Sequence, residues 1–454
     1  MSNQPENETN NFLQDIPVAN SFSTIMNEPN EKIDIYEGDF VIKRNDIEIN
    51  CKGNFKYEWY PSSGPNLFGQ AFNVSHSQLG VLRLNDAIDI YVEGLKIGKV
   101  YITRINFSDN PTFKGTMAHE CILGDQTIAV DTLYFSVPNL KEFIGDPIRL
   151  ENTNKVSNGR IRLETTRYII NIDQHFDHSK RRELLQAEGG YLLTYAGEIT
   201  PKKGSMSHAE SIEILKCVSF YLSFINGHQV SAIFLVGSFE GKTVWKDFSN
   251  FITHQYLPIT SWSDAHSFRD FNTLWESFYK LWCTQSGNDF LRKAIHWYIE
   301  ANYSPVFAES KIMIAQAGLE LVFNWLIIER QNLLVFKTNE SISAANKIRL
   351  ILHQINVDFS IPPGLTHVSA EKNYKTGPET FVSIRNAIVH QQEEKRRKVN
   401  ELPIMLIYEV FKLGVWYLEL AILFILDYHG NYCTRTSISP HRQIVPWDEK
   451  KQQI

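Results

Sequence analysis

Three residues near the end of a helical pattern carry side chains that are suited to phosphate chemistry. They are Arg385, Asn386 and His390, in the segment RNAIVH. At about 100° per residue, Asn386 and His390 fall one helical turn apart, and the arc from Arg385 to His390 spans about 140°. Phe381 and Ile384 point in a different direction and can face a core. The pattern therefore predicts a helix that is buried on one side and presents a cation, an amide and an imidazole on the other.

Such a set of side chains suits the cleavage of RNA through its own 2′-hydroxyl. In-line attack on the phosphodiester needs a base for the hydroxyl, an acid for the leaving 5′-oxygen and stabilisation of the charge that grows on the phosphate. Histidine, with an ordinary pKa of about 6.5, can serve as base or acid near neutrality, and arginine can bind two phosphate oxygens at once. This chemistry requires no metal and no cofactor. One chain supplies a single imidazole from this motif, so two copies facing each other across a two-fold axis would form a more complete site.

Spacing by itself carries little weight. An Arg followed five positions later by a His arises by chance about once in every two chains of this length at ordinary composition. On pattern alone, the competing interpretation of Arg385 and His390 is a helix-surface pair without chemistry. The chain also contains comparable pairs, namely Arg292 with His296, Arg349 with His353 and Arg435 with His441.

The surroundings of this motif resemble those in the HEPN superfamily. RNAIVH is similar to the motif of that superfamily, in which an Arg, a following polar residue that is often Asn, and a His four to six places beyond the Arg lie near the end of a bundle helix. The preceding segments AQAGLELVFNWLIIERQ and NKIRLILHQI and a long apolar final helix follow the same order. Because a large β-rich region precedes them, the chain looks most like the ApeA-like branch of HEPN proteins, which acts in bacterial antiphage defence.

The resemblance implies a dimeric, metal-independent endoribonuclease that acts as a toxin and halts translation when infection is sensed. The two motif helices would meet at the subunit interface. Arg385 would hold the scissile phosphate, Asn386 would orient the phosphate or the imidazole, and His390 would be the acid or base. Inactive members of the superfamily only bind RNA or partners, so the alternative function is a noncatalytic interaction module.

A run of four cations follows the motif and precedes the final helix: Lys395, Arg396, Arg397 and Lys398. Clustered positive charges near the motif would guide an RNA backbone. The competing interpretation is a solvated loop between two helices. As partners we expect RNA, a second copy of the chain through the helical bundle, and an unidentified phage-derived or protein trigger.

The motif belongs to a helical region that follows a β-rich one, so the predicted fold class is α+β. From about residue 32 to 202, short β-branched and aromatic runs broken by turn residues indicate a mainly antiparallel β domain, and a capped helix begins near Ser207. We divide the chain into a flexible tail (1–30), a β-rich sensing or regulatory domain (31–265), a HEPN-like helical bundle (266–430) and a C-terminal tail (431–454). The bundle contains predicted helices over 268–283, 289–302, 306–331, 341–355, 378–391 and 402–428.

Composition and charge limit how the chain can bind RNA and where in the cell it can act. The 454 residues carry 45 Lys and Arg against 51 Asp and Glu, so any RNA contact has to come from a local basic patch. The five cysteines include no CxxC pair, which argues against disulfides and favours a cytoplasmic location. Segment 402–428 is apolar enough to suggest a membrane span, but it carries Glu409, Lys412 and Glu419. We therefore expect a buried helix of a soluble bundle and no membrane partner.

Two other segments suggest chemistry less strongly. Gly237–Thr243 is one residue short of the phosphate-loop pattern GxxxxGK[ST], so we expect a hairpin turn rather than nucleotide hydrolysis. His175, Asp177 and His178 are of types that ligate metals. The residues at 180–182 are Lys, Arg and Arg, which favours a solvated polar loop there.

Overall fold

The computed structural model describes residues 15–72, 74, 78, 86–107, 110–267, 271–303, 307–334, 342–389, 401–437, 439 and 441–449. In this part of the chain a β-rich region is followed by a helical one, so the fold is α+β. The chain divides into two compact units. The first comprises Met1–Ser219 and Val230–Leu257, and the second comprises Phe220–Gln229 and Pro258–Ile454.

Six antiparallel strands of the first unit close into a barrel. Their order is β3-β2-β1-β4-β5-β6, and β3 also pairs with β6, which closes the sheet. Buried and exposed residues alternate along much of these strands, as expected where one face of a sheet lines a core. The strands are β1 (Ile33–Arg44), β2 (Ile47–Glu58), β3 (Gly64–Ala71), β4 (Ala87–Val92), β5 (Leu95–Asn106) and β6 (Thr112–Gly124).

Aromatic side chains fill the barrel. Phe40, Phe55 and Phe113 are at most 3% exposed, and the Phe40 ring lies edge-on to the other two at centroid distances of 5.3 and 6.3 Å. Gly69 makes room for them, because a Cβ atom there would come within 2.6 Å of the Phe113 ring and 2.8 Å of the Phe40 ring. The interior is therefore packed.

The sheet continues through β6 into seven further antiparallel strands, in the order β13-β12-β7-β11-β10-β9-β8. The mainly antiparallel domain predicted for this region is confirmed. The predicted helix near Ser207 is confirmed too: Ser207 Oγ accepts a hydrogen bond from the Glu210 amide at 3.3 Å, and the Ser207 amide donates to Glu210 Oε2 at 2.9 Å, which together form a capping box. The elements are β7 (Thr132–Pro138), β8 (Asp146–Arg149), β9 (Val156–Glu164), β10 (Tyr168–Gln174), α1 (His178–Glu188), β11 (Leu193–Pro201), α2 (His208–Asn226), β12 (Ile233–Phe239) and β13 (Lys242–Asp247).

Residues 15–30, predicted as part of a flexible tail, are packed against strands β9 and β10 of the first unit. Arg160 on β9 and Asp173 on β10 form a buried bidentate ion pair with N–O distances of 2.7 Å. Arg160 also donates to the Val18 carbonyl at 3.0 Å, and the Asn20 amide donates to Asp173 at 2.7 Å. The tail prediction is wrong over this range because two buried charges need further partners, which this polar segment supplies. Residues 1–14 lie outside the described part.

Helices make up most of the second unit. α5 packs against α4 and α9, and α8 packs against α6 and α9. Each of the six helical segments predicted for the bundle corresponds to a helix. The elements are α3 (Phe271–Trp282), α4 (Gln285–Tyr303), α5 (Ala308–Phe323) with a π-helical continuation (Asn324–Arg330), α6 (Ala344–Gln354), α7 (Thr366–Ala370), α8 (Gly377–Val389), α9 (Ile404–Ile425), β14 (Asn431–Thr434), β15 (His441–Ile444) and α10 (Pro446–Glu449).

Among the described helices, Ala308–Arg330 is long and apolar enough to cross a membrane, with a mean hydropathy of 1.5, and half of that stretch is buried in the protein. The segment considered as a membrane span from the sequence, now α9, is buried over most of its length and exposed near its start. Its Glu409 accepts hydrogen bonds from the backbone amides of His367 and Val368, both at 2.9 Å. These carboxylate contacts at the start of α7 are those of a protein core rather than of a lipid-facing surface.

Helices α8 and α9 approach closely at a glycine. A Cβ atom on Gly414 of α9 would come within 2.2 Å of the Phe381 ring on α8, and one on Gly377 would meet the Tyr417 hydroxyl at 2.1 Å. Gly377 of α8 lies beside Tyr417 of α9, whereas Phe381, farther along α8, lies beside Gly414, which comes earlier in α9. The two helices therefore run antiparallel. The predicted motif helix is therefore held by direct backbone-to-ring packing.

The segment predicted to be a C-terminal tail (431–454) contains the antiparallel hairpin β14–β15 and the short α10. Arg435, directly after β14, is 4% exposed and binds Glu419 of α9. The prediction of a tail is wrong because this contact ties the segment to the helical core. The sequence around Arg435 is polar and does not indicate that this arginine binds a residue far away in the chain.

Candidate functional site

Helix α8 begins with a polar cap that is tied to a neighbouring helix. Thr376 Oγ1 donates to Glu379 Oε2 at 3.0 Å, and Pro378 occupies the first turn, where a missing amide hydrogen is tolerated. Arg349 on α6 donates to Glu379 at 2.5 Å and to Thr376 Oγ1 at 3.3 Å. The hydrogen bond from Arg349 lowers the pKa of Glu379 below its ordinary value. The start of the motif helix is thereby fixed to α6.

Arg385 and Asn386 lie side by side farther along α8. Phe381 and Ile384 are at most 1% exposed and anchor the helix, whereas Arg385 and Asn386 are half-buried. Arg385 Nη1 donates to Asn386 Oδ1 at 3.0 Å. Within the described part of the chain, the buried Nε of Arg385 has no hydrogen-bond partner, and no carboxylate forms an ion pair with this guanidinium. The cation is therefore available to an anionic ligand.

The other predicted site residues are not part of the described chain. Helix α8 is described as far as Val389, and His390 lies outside the described residues. The same holds for the basic run, which consists of Lys395, Arg396, Arg397 and Lys398. Of the predicted triad, the structure brings together Arg385 and Asn386 on a partly open side of the helix.

The comparable Arg–His pairs of the sequence have different surroundings. Arg349 is bound to the cap of α8, and Arg435 is buried against Glu419. Arg292 and His296 are both exposed on α4. This α4 pair has the residue types of the motif without the flanking amide, and it offers a matched control for experiments on α8.

Gly237–Thr243 forms the predicted hairpin. Strands β12 and β13 pair antiparallel, with Phe239 opposite Lys242. Glu240 and Gly241 make the turn with φ angles of 49° and 74°, which a type I′ turn requires. A strand follows this loop, whereas a phosphate loop opens a helix. The geometry therefore favours the structural interpretation of this motif.

The prediction of a solvated loop around residues 175–182 is wrong, because Arg181 lies in α1 and is buried. Its Nη1 donates to the carbonyls of Met26 and Leu193 at 2.8 and 3.0 Å, its Nη2 donates to His175 Nε2 at 2.9 Å, and its Nε donates to Asp177 at 2.7 Å. Burial, together with the nearby Arg181 charge, lowers the pKa of His175 to about 4. Of the three predicted ligands, His175 and Asp177 are thus already bound to the Arg181 guanidinium, and His178 Nε2 lies 3.2 Å from the Leu140 carbonyl oxygen. Across the described residues, no group of three or more His, Cys, Asp or Glu side chains is arranged to hold a metal.

Comparisons with known proteins give similarity without an activity. Residues 284–445, which include Arg385, Asn386 and Arg435, match the family described as the YopA C-terminal domain, and residues 125–258 match the YopA central domain. Over 446 residues the chain is 26% identical to the SPbeta prophage-derived uncharacterized protein YopA of Bacillus subtilis (strain 168). The alignment covers 96% of this chain and 99% of that relative. No solved structure matches the chain.

Proposed function

We propose that this protein is a metal-independent endoribonuclease of the HEPN type, with its catalytic groups on α8 of the helical unit. The observation that carries the proposal is the Arg385–Asn386 pair. A guanidinium held at 3.0 Å from a neighbouring amide oxygen, with no carboxylate among the described residues to neutralise it, is suited to holding a phosphodiester. His390, one position beyond the described end of α8, would supply the acid–base group.

The proposed reaction needs neither water nor metal in its first step. A base takes the proton of the 2′-hydroxyl, the 2′-oxygen forms a bond to phosphorus, and the bond to the 5′-oxygen breaks as an acid protonates it. The products are a 2′,3′-cyclic phosphate and a 5′-hydroxyl. Arg385 would bind the phosphate oxygens on which charge grows, Asn386 would orient the guanidinium, and His390 would exchange the proton.

A second copy of the chain would complete the site. Large apolar side chains are exposed at the start of α9, where Ile404 is 82%, Met405 47% and Tyr408 42% exposed. Val389, at the described end of α8, is 38% exposed. Because α8 runs antiparallel to α9, these residues lie at the same end of the helix pair. Apolar surface beside the motif supports a homodimer that brings two copies of α8 together.

We propose further that the β-rich region senses a phage-derived or protein trigger and that the protein is located in the cytoplasm. The Bacillus subtilis relative is prophage-derived by name, which fits a role in the encounter between a cell and a phage. We infer an antiphage effector that is released by its trigger and halts translation by cleaving RNA.

The test is cleavage of total RNA by the purified chain in the presence of EDTA. We expect fragments with 2′,3′-cyclic phosphate ends, and a loss of about 100-fold or more in initial rate for His390→Ala and for Arg385→Ala. The double variant Arg292→Ala, His296→Ala removes the exposed α4 pair and should cleave like the parent. Full activity of His390→Ala, or dependence on a divalent metal, would contradict the proposal.

The second candidate function is a noncatalytic module that binds RNA or a protein through the same helical unit, and the exposed apolar side chains of α9 favour it. Growth inhibition on expression separates the two functions where a trigger is missing in vitro. If the protein is a nuclease, its expression should inhibit growth and His390→Ala should not. If it is a binding module, the parent and His390→Ala should affect growth equally.

A further inference from the structure

The outer face of the six-stranded barrel carries an arrangement that the proposed nuclease site does not use. Phe68 on β3 lies opposite Lys114 on β6, and Lys114 lies opposite Arg104 on β5. All three side chains are exposed, with Phe68 at 41%. One row across three neighbouring strands therefore presents an aromatic ring, an ammonium group and a guanidinium group to solvent.

The two cations of this row are directly opposite each other. Like charges in cross-strand positions repel and weaken a sheet. Among the described residues neither Lys114 nor Arg104 has a carboxylate partner, whereas other barrel lysines do: Lys56 binds Asp34 and Lys96 binds Asp89. A pair of unneutralised cations held side by side is an arrangement that a bound anion would stabilise.

The next row adds a second exposed ring. Tyr101 on β5, 42% exposed, lies opposite Thr116 on β6, which lies opposite Asn66 on β3. The register places Tyr101 two strands and two residues away from Phe68, roughly 12 Å between Cα atoms at the usual strand spacing and rise. The two rings can therefore hold two separate bases of one extended strand.

Amide and hydroxyl groups surround these rings. Gln70 lies opposite Thr112 on the far side of the Phe68 row. The hydroxyl of Thr116 donates to Asn66 Oδ1 at 2.8 Å. Because Asn66 Nδ2 in turn donates to Glu58 Oε2 at 3.3 Å, the donors of this pair are engaged, and the Gln70 amide and the Thr112 hydroxyl are the groups that can donate to and accept from a 2′-hydroxyl, which DNA lacks. The packed barrel interior leaves the outer face as the surface on which such a strand would lie.

We propose that this outer face of β3, β6 and β5, defined by Phe68, Tyr101, Lys114 and Arg104, binds single-stranded RNA. Bases stack on the two rings, and phosphates lie against the two cations. Exposed aromatic side chains interleaved with cations are the combination by which small barrels hold single strands. The site lies within the first unit and does not depend on Arg385 or His390, so it is separate from the proposed nuclease centre.

The experiment measures binding of a labelled, unstructured 16-nucleotide RNA by fluorescence anisotropy. It uses the full chain carrying His390→Ala, so that the probe is not consumed. We expect Phe68→Ala and Tyr101→Ala each to weaken binding about tenfold. Lys114→Ala should weaken binding and lower the slope of log affinity against log salt by about 0.7, as loss of one single-strand phosphate contact requires.

The chain offers a matched control on the β12–β13 hairpin. Phe239 is 39% exposed and lies opposite Lys242, which repeats the ring-and-lysine pair of the proposed face. Phe239→Ala and Lys242→Ala should bind like the parent. Phe68→Leu keeps apolar bulk but removes the aromatic face, so it should bind as weakly as Phe68→Ala while unfolding at the parent's temperature.

Several results would overturn the proposal: no binding by the parent, unchanged binding in Phe68→Leu and Tyr101→Ala, or an equal loss in Phe239→Ala. Equal affinity for DNA of the same sequence would overturn the assignment to RNA. Failure of the nuclease proposal has a different signature, because it is judged by cleavage in chains with an intact barrel face and a changed α8.

Discussion

Glu419 and Arg435 form an ion pair whose side chains are 1% and 3% exposed. Arg435 Nε donates to Glu419 Oε2 at 2.8 Å, and the Tyr298 hydroxyl donates to Glu419 Oε1 at 2.8 Å. Arg435 Nη1 donates to Asn302 Oδ1 at 3.1 Å. Burial alone would lower the pKa of Arg435, but the Glu419 carboxylate outweighs burial and raises it. Arg435 therefore keeps its charge, and its contact with Glu419 ties the segment after β14 to α9.

Removing one charge of this pair should destabilise the second unit strongly. Glu419→Gln leaves a buried guanidinium without its counter-charge, and we expect the free energy of unfolding to fall by about 3 to 5 kcal/mol in urea titrations. Glu213→Gln, which breaks the exposed pair with Lys216, should cost less than about 1 kcal/mol. Adding Arg435→Met to Glu419→Gln should recover part of the loss. Equal effects of the buried and exposed substitutions would contradict this account.

The contact between Gly414 and Phe381 predicts a steric effect on the motif helix. Gly414→Ala places a methyl group within 2.2 Å of the Phe381 ring and should lower the free energy of unfolding by about 1 to 3 kcal/mol. Phe381→Leu in the same chain should relieve part of that loss because the smaller side chain yields space. A double-mutant cycle by thermal unfolding measures the coupling. Additive effects of the two substitutions would show that the ring does not oppose the methyl group.

The helices could be predicted because their pattern is local. Apolar residues recur at helical spacing along α5, α8 and α9, and this spacing sets the buried face whatever the helix packs against. No local sequence pattern indicated that the six strands close into a barrel. The pairing of β3 with β6 joins Asn66 to Thr116, and residues this far apart in the chain meet only because the intervening strands place them together.

The partners of buried charged residues could not be predicted from the sequence. Glu419 in an apolar helix indicates that some partner exists, but nothing local shows that the partner is Arg435 or that Tyr298 completes the set. At the candidate site, adjacency on α8 already put Arg385 beside Asn386. That the guanidinium lacks a carboxylate among the described residues depends on the packing of other helices, and only the structure supplies it.

Burial of His175 beside Arg181 predicts a loss of stability in mild acid. The folded pKa of His175 is about 4, against an ordinary value of 6.5, so between these values the unfolded chain binds a proton that the folded chain does not. The free energy of unfolding should therefore fall as the pH drops from 6.5 to 4, by on the order of 2 kcal/mol from this residue. His175→Gln should remove that part of the pH dependence in urea titrations, with His119→Gln as the control for an exposed histidine. An unchanged slope in His175→Gln would assign the acid sensitivity to other groups.

The hydrogen bond between Arg385 and Asn386 predicts how the candidate site responds to a change of charge at constant size. Asn386→Asp keeps the oxygen that accepts from Arg385 Nη1 but adds a carboxylate beside the guanidinium, which would neutralise the charge offered to a phosphate. Under the proposed nuclease function we expect RNA cleavage to fall about 100-fold in Asn386→Asp and about tenfold in Asn386→Ala, since the alanine variant loses orientation but keeps the cation. Single-turnover cleavage rates with EDTA present measure both, and matching melting temperatures exclude unfolding as the cause. If Asn386→Asp cleaves as fast as Asn386→Ala, the guanidinium does not act through its charge and Arg385 loses its proposed role as the phosphate-binding group.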